Sequence, residues 1–155
     1  MNLQYAAGFV DGEGCINFAK TRSSIYPRVL VTNTNIEILK DFQKKWGGDI
    51  KQNFCKKDNW KPAYSWRISW TKAINFLSDI EPYLKIKKLQ AHAVFAWAEI
   101  RPGRGGKPDK ESFDFLVSYV HWLNKRGINN EENPLDVVLR SIDGDIDEKA
   151  GMGQS

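Results

Sequence analysis

Residues 63–70, AYSWRISW, alternate without a break. Tyr64, Trp66, Ile68 and Trp70 fall on one side of an extended chain, and Ala63, Ser65, Arg67 and Ser69 on the other. Successive side chains of a strand point to opposite faces, so a period of two specifies a strand with one aromatic face and one polar face. Such a strand needs neighbours on its edges and a helical layer over its aromatic side. CINFAK (15–20) sets Ile16 and Phe18 against Cys15, Asn17 and Ala19, and RVLVTN (28–33) sets Val29 and Val31 against Arg28, Leu30 and Thr32. DIKQNFCKK (49–57) supplies a further strand. TRSSIYP (21–27) links the first two and KDNWKP (57–62) turns the last two back, so four strands read as two antiparallel hairpins.

Helical patterns occupy the remainder. Residues 3–13 form a short helix ending near Gly14, where a left-handed cap costs glycine little. Residues 33–48 form a second, with Ile36, Leu39 and Phe42 inward, Asn33, Thr34 and Asn35 as candidate N-caps, and Gly47 and Gly48 at its end. The segment 71–84 is broken by Pro82, residues 85–101 follow, 102–108 form a loop, and 108–127 run from a Pro-Asp entry to Gly127. Helix, two strands, helix, two strands, helices is an α+β order. One four-stranded antiparallel sheet with helices on a single face accommodates it, and extra C-terminal helices follow. Residues 1–127 are expected to form the domain; 128–155 are expected to be an acidic segment, helical over PLDVVLRSI (134–142) and disordered over 143–155.

Charge divides along the chain. Residues 127–155 carry seven acids and two bases, a net of −5, so residues 1–126 carry +9. A basic body with an acidic tail suits a polyanionic partner, although a lysine-rich solvated surface has the same composition. The wet sheet face would hold Asn17, Thr21, Arg28, Thr32, Lys51, Asn53, Lys57, Ser65, Arg67 and Ser69, with Arg22 in the first turn; these residue types read base edges and phosphates in a DNA groove, and an ordinary solvated face is the alternative. Two cysteines, Cys15 and Cys55, are too few for a disulfide framework and lack metal-ligand spacing with His92 and His121. With no apolar run long enough for a membrane span and no secretory signal pattern, the expectation is an intracellular protein, in an organelle or a prokaryotic cytoplasm.

The stretch YAAGFVDGEGCINFAK (5–20) is the chemically awkward one. It sets Asp11 and Glu13 at the end of a helix, where the backbone dipole is already negative. Gly8 and Gly12, four residues apart, would let a second helix approach closely. Were that helix the same one from a second copy, Glu13 and its mate would meet near a two-fold axis and repel unless divalent cations lay between them. Oxygen ligands favour a hard ion such as Mg²⁺, and paired hard ions suit phosphodiester hydrolysis. The alternative is a helix-to-strand turn whose Asp and Gly residues serve geometry only.

AAGFVDGEG (6–14) resembles the LAGLIDADG signature of homing endonucleases: Gly8, Phe9, Val10, Asp11, Gly12 and Gly14 fit it, Glu13 takes the last acidic position, and Ala6 replaces the usual leucine. The motif occurs once. The resemblance implies a saddle-shaped sheet with an αββαββα-type core, and a homodimer whose seam is the motif helix (Ala7, Gly8, Asp11, Gly12). It also implies site-specific cleavage of long pseudo-palindromic double-stranded DNA, in the manner of intron homing. By the same resemblance Glu13 binds the metal with the Gly12 carbonyl, Lys87 lies near the scissile phosphate, and Asn33 positions water. Mg²⁺ is the expected ion, with Mn²⁺ or Ca²⁺ able to substitute in binding. Glu37 stands where some relatives carry a basic residue, and it changes the expected water network. Two other classes remain open: a catalytically silent nucleic-acid binder (an RNA-splicing maturase or a DNA-binding regulator), and a plain dimeric interaction module. DGDIDE (143–148) begins like a calcium loop but lacks the glycine and closing glutamate that loop requires.

Overall fold

A computed structural model describes residues 1–55, 57–103, 109–125 and 132–152, with side chains as far as 143. The elements are α1 (Leu3–Glu13), β1 (Gly14–Lys20), β2 (Ile25–Asn33), α2 (Ile36–Trp46), β3 (Asp49–Gln52), β4 (Tyr64–Ser69), α3 (Trp70–Ile80), a short 3₁₀ turn (Glu81–Tyr83), α4 (Lys88–Ile100), α5 (Lys110–Lys125) and α6 (Pro134–Met152). The strands form one antiparallel sheet in the order β1-β2-β4-β3. This is the expected α+β architecture: β1–β2 and β3–β4 are hairpins, and β2 joins them by pairing with β4.

The register makes the two faces physical. Asn17 lies opposite Arg28, Arg28 opposite Ser69, Leu30 opposite Arg67, and Thr32 opposite Ser65, so these residues share one side. Ile16, Val29, Val31, Trp66 and Ile68 share the other and are buried under α2 and α3 with Leu39, Phe42, Phe76 and Leu77. Trp66 anchors that core. Its ring packs 5.0 Å from Phe42 and 5.2 Å from Phe76, and its indole N–H donates to the Gly47 carbonyl at 2.7 Å. Burying rings of this size dominates core energetics, and the indole's one donor needs a partner when buried. A second cluster, built on Trp97, Phe113, Leu116 and Val120, joins α4 to α5.

Five local expectations are corrected. Gly14 is extended (φ −91°, ψ 161°), not left-handed. The chain enters β1 directly from α1, and a Cβ on Gly14 would lie 2.7 Å from the Val10 carbonyl, so glycine is required there by close approach. Left-handed backbone is used instead at Gly47 and Gly48, with φ 77° and 89°, between α2 and β3. Trp70 does not continue the β4 alternation: its φ is 58° and it opens α3, outside the strand. β3 stops at Gln52, and β2 begins at Ile25, within the segment expected to be a link. α6 extends to Met152 through residues whose polarity suggested disorder, and the Asn133 side chain accepts from the Leu135 N–H at its start.

Candidate nucleic-acid interface and active site

The sheet's wet face is organised by hydrogen bonds. Arg28 donates from Nε to Asn17 Oδ1 at 3.1 Å, across the β1–β2 pair. Ser65 donates to Asn53 Oδ1 at 2.9 Å and lies 2.8 Å from Thr32 Oγ1, which leaves Thr32 as donor and links β2, β4 and the end of β3 in one polar row. Lys51 is opposite Ser65 and exposed, and Arg67 stands between Leu30 and Asp49. Ser69 shares this face and is the N-cap residue of α3, although its hydroxyl makes no capping bond. Pre-set amide, hydroxyl and guanidinium groups at strand spacing are what groove recognition requires.

Thr21, Arg22 and Lys57 are placed elsewhere. Thr21 closes the β1–β2 turn, its hydroxyl accepting from Ser24 N–H at 3.0 Å. Arg22 is exposed in that turn, and Lys57 lies in the β3–β4 loop with its ammonium 5.3 Å from the centre of the Trp60 ring. The two loops are at opposite ends of the sheet, because Lys20 pairs with Ile25 at one end while Asn33 pairs with Tyr64 at the other.

The end holding Asn33 also holds the acids. Asp11 is 7% exposed and turned inward. Its carboxylate accepts the backbone N–H groups of Lys85 (2.7 Å), Ile86 (3.2 Å) and Lys87 (2.9 Å), the residues leading into α4. These groups lie in the turn that ends at Lys87, the N-cap of α4, and an anion there is favoured by the α4 dipole. Lys87 reciprocates. Its ammonium, also buried, donates to the carbonyls of Val10 (3.0 Å) and Asp11 (2.5 Å) at the negative end of α1. The C-terminus of α1 and the N-terminus of α4 therefore cap one another by opposite charges.

This answers why acids stand at the end of a helix. One is the partner of a distant helix start, and the local negative charge is covered by Lys87. Glu13 is exposed at the junction with β1. The Val10 and Asp11 carbonyls accept from Lys87, and Gly12 and Glu13 are exposed, so the Gly12 carbonyl and the Glu13 carboxylate are the candidate oxygen donors of this turn. Two hard oxygen donors fit part of a divalent cation's shell. Among the described residues no group of three or more His, Cys, Asp or Glu could hold a metal ion by itself. Asn33 borders the site, with its side chain accepting from Asn35 N–H at 2.8 Å. Glu37 pairs with Lys40 at 2.8 Å.

Of the four residues expected at a dimer seam, two face outward. Gly8 and Gly12 are exposed and have no atom within 4 Å of where a Cβ would stand. Ala7, at 0% exposure, packs in the chain's own core, and Asp11 is engaged with the α4 entry, so neither side chain is available to a second copy. Tyr5, 51% exposed and with its ring tilted 31° against Phe9 at 6.0 Å, flanks the glycines on the open side, a feature the small-residue pattern alone does not reveal. Asn124 of α5 is also missed in the sequence: it donates to the Ile16 carbonyl at 2.9 Å, covering the free edge of β1. A contact spanning that much chain leaves no local signal.

No protein-family model matches the chain. A curated relative, the DNA endonuclease I-CreI of Chlamydomonas reinhardtii, is 24% identical over 151 residues, covering 94% of this chain and 88% of that protein. The homing endonuclease I-CvuI, solved with its target DNA and calcium, superposes with a TM-score of 0.62 at 24% identity, over 78% of this chain and 80% of that one. The LAGLIDADG homing endonuclease I-SmaMI, solved bound to cleaved DNA, gives a TM-score of 0.55 at 16% identity, over 77% of this chain and 42% of that longer chain. The fold is the one these LAGLIDADG homing endonucleases share.

Proposed function

We propose that this chain is a site-specific DNA endonuclease of the homing type, working as a homodimer with divalent metal ions. The observation that carries the reading is the state of the α1–β1 junction. The Asp11 carboxylate and the Lys87 ammonium are consumed in holding the turn, whereas Glu13 is exposed beside them, at the Asn33 end of a sheet whose wet face suits DNA. I-CreI is named a DNA endonuclease, and I-CvuI was solved with its target DNA in calcium and with the I-CreI target, uncleaved, in magnesium. Both similarities support the same activity in this chain.

Glu13 and the Gly12 carbonyl would hold the metal, and Mg²⁺ is the ion we assign. When bound, such an ion supplies Lewis-acid stabilisation of phosphate oxygens and lowers the pKa of water. The chain's own residues do the remainder. Arg28, Arg67, Lys51 and the Thr32–Ser65–Asn53 row bind and orient the duplex, so the scissile phosphate arrives over the turn. Asn33, at the same end, orients water through its side-chain amide. Lys87 acts as a positioning residue: its ammonium fixes the carbonyls preceding Gly12, and its buried charge offsets the anion gathered there. Outward Gly8 and Gly12 let the α1 helices of two copies approach backbone to backbone, which brings two Glu13 tips together.

The test is cleavage of a plasmid library carrying random duplex inserts, with Mg²⁺ and with EDTA. Glu13→Gln should abolish cutting while retaining DNA binding. Equal cutting by the variant would refute the metal role.

A further inference from the structure

A cavity among the described residues lies away from Glu13. It opens beside the β1–β2 turn, and β1 at roughly 3.3 Å per residue sets that turn about 20 Å from the acid tip. The cavity measures about 690 Å³ and lies between the turn, Trp70, the end of α4 and the start of α5. Three independent features mark it. Its lining carries Lys20, Arg22, Arg101 and Lys110 against a single acid, Asp114. Trp97, in its wall and only 3% exposed, has a buried indole N–H with no hydrogen-bond partner. Trp70, also in the wall, is held at φ 58° while 44% exposed, its ring stacked on Tyr26 at 4.7 Å and 10°.

Buried indole donors ordinarily find an acceptor, and a bulky residue with positive φ is a strained conformation that clusters at functional sites. A cationic rim over aromatic walls calls for a ligand with an anionic end and a flat, largely apolar body. The volume falls within the range of small-molecule sites, far above that of one phosphate.

We propose that this cavity binds a nucleoside phosphate, with Arg22, Arg101 and Lys110 on the phosphate oxygens and an acceptor atom of the ligand on the Trp97 indole N–H. Two sources share this chemistry. One is a free mononucleotide. The other is a nucleotide of a DNA strand running past the outer end of the sheet, since Thr21 and Arg22 join the wet face to the cavity; this source rests on the function proposed above.

The whole chain would be titrated with AMP and inorganic phosphate, then with two duplexes, one spanning two sheet faces and one longer by a helical turn at each end. The variants are Arg101→Gln/Lys110→Gln, at two exposed positions, and Trp97→Phe, which keeps a ring and removes the N–H; thermal melting checks that each is folded. A single AMP site per chain, tighter than phosphate and weakened about tenfold by the double variant, identifies the free ligand. Absent AMP binding, a gain in affinity on lengthening the duplex that the double variant loses identifies the strand nucleotide. If AMP does not bind and lengthening the duplex gives no gain, or if whichever binding is seen is untouched by the double variant, the proposal is overturned. Failure of the wild type to bind the shorter duplex would count against the DNA reading alone, and the AMP result would still decide the cavity.

Discussion

Asp11 and Glu13 are two residues apart and do opposite work. Asp11 is spent on three backbone N–H groups ahead of α4, and Glu13 is left outward. Asp11→Ala would remove the acceptor of those three N–H groups, of which that of Lys87 is buried, a loss of about 1–3 kcal/mol, read as a lower urea midpoint at unchanged slope. Glu13→Gln should leave that midpoint within about 0.5 kcal/mol of the wild type, because the side chain is exposed. Gly14→Ala tests the close approach. Its methyl would meet the Val10 carbonyl at 2.7 Å and Val10 Cα at 2.9 Å, both backbone atoms, so the α1–β1 junction must shift. Overpacking of this kind costs about 1–3 kcal/mol, and activity should fall further than stability because Glu13 rides on that junction. Gly14→Ala with full activity would show that the junction's geometry is not critical. The motif resemblance singles out Glu13 as the metal-binding acid and leaves Asp11 a structural role at the helix end, but nothing local shows what Asp11 holds: its bond from the Lys87 N–H joins points 76 positions apart.

At the scale of elements, β1, β2 and β4 are legible because their alternation is intact and one face is aliphatic or aromatic. Trp70 misleads for the same reason. The period of two persists one residue beyond the point where the backbone turns into α3, and only the positive φ reveals the turn. The sheet face should behave as a DNA surface. Arg28→Ala removes both a cation and the bond that orients Asn17, so DNA affinity should drop and the salt dependence should flatten by about one charge if the guanidinium meets a phosphate. Unchanged salt slope and unchanged site preference would remove Arg28 from the interface. The 3₁₀ turn and α4 carry a pH-sensitive contact. The Glu81 carboxyl is held below its ordinary value of 4.5 chiefly by the hydrogen bond with His92, with Lys88 adding to it and desolvation opposing it. A lowered folded-state pKa means the native chain binds fewer protons than the unfolded one as acid is added. This contribution is therefore present above pH 4.5 and lost as pH falls through the folded value. Glu81→Gln should flatten the acid limb of the unfolding profile, and an identical limb in the variant would refute the linkage.

For the whole molecule, the order of elements and the single motif are enough to anticipate the α+β fold that the chain shares with LAGLIDADG homing endonucleases. What the order cannot supply is which face of α1 remains open. In the folded chain Ala6, Ala7, Val10 and Asp11 are buried, while Tyr5, Gly8, Gly12 and Glu13 look outward. The chain is thereby divided into a finished core and an unfinished site that a second copy would complete. Replacing Gly8 with leucine should leave the monomer folded, since no atom of another described element lies within 4 Å of where its Cβ would stand, and should block assembly. The most direct measurement is native mass spectrometry of the complex on a selected, cleavable duplex in Ca²⁺. The account predicts two chains per duplex with bound divalent ions, and loss of those ions in Glu13→Gln while both chains stay on the DNA. One chain per duplex, or an ion count unaffected by Glu13→Gln, would contradict it.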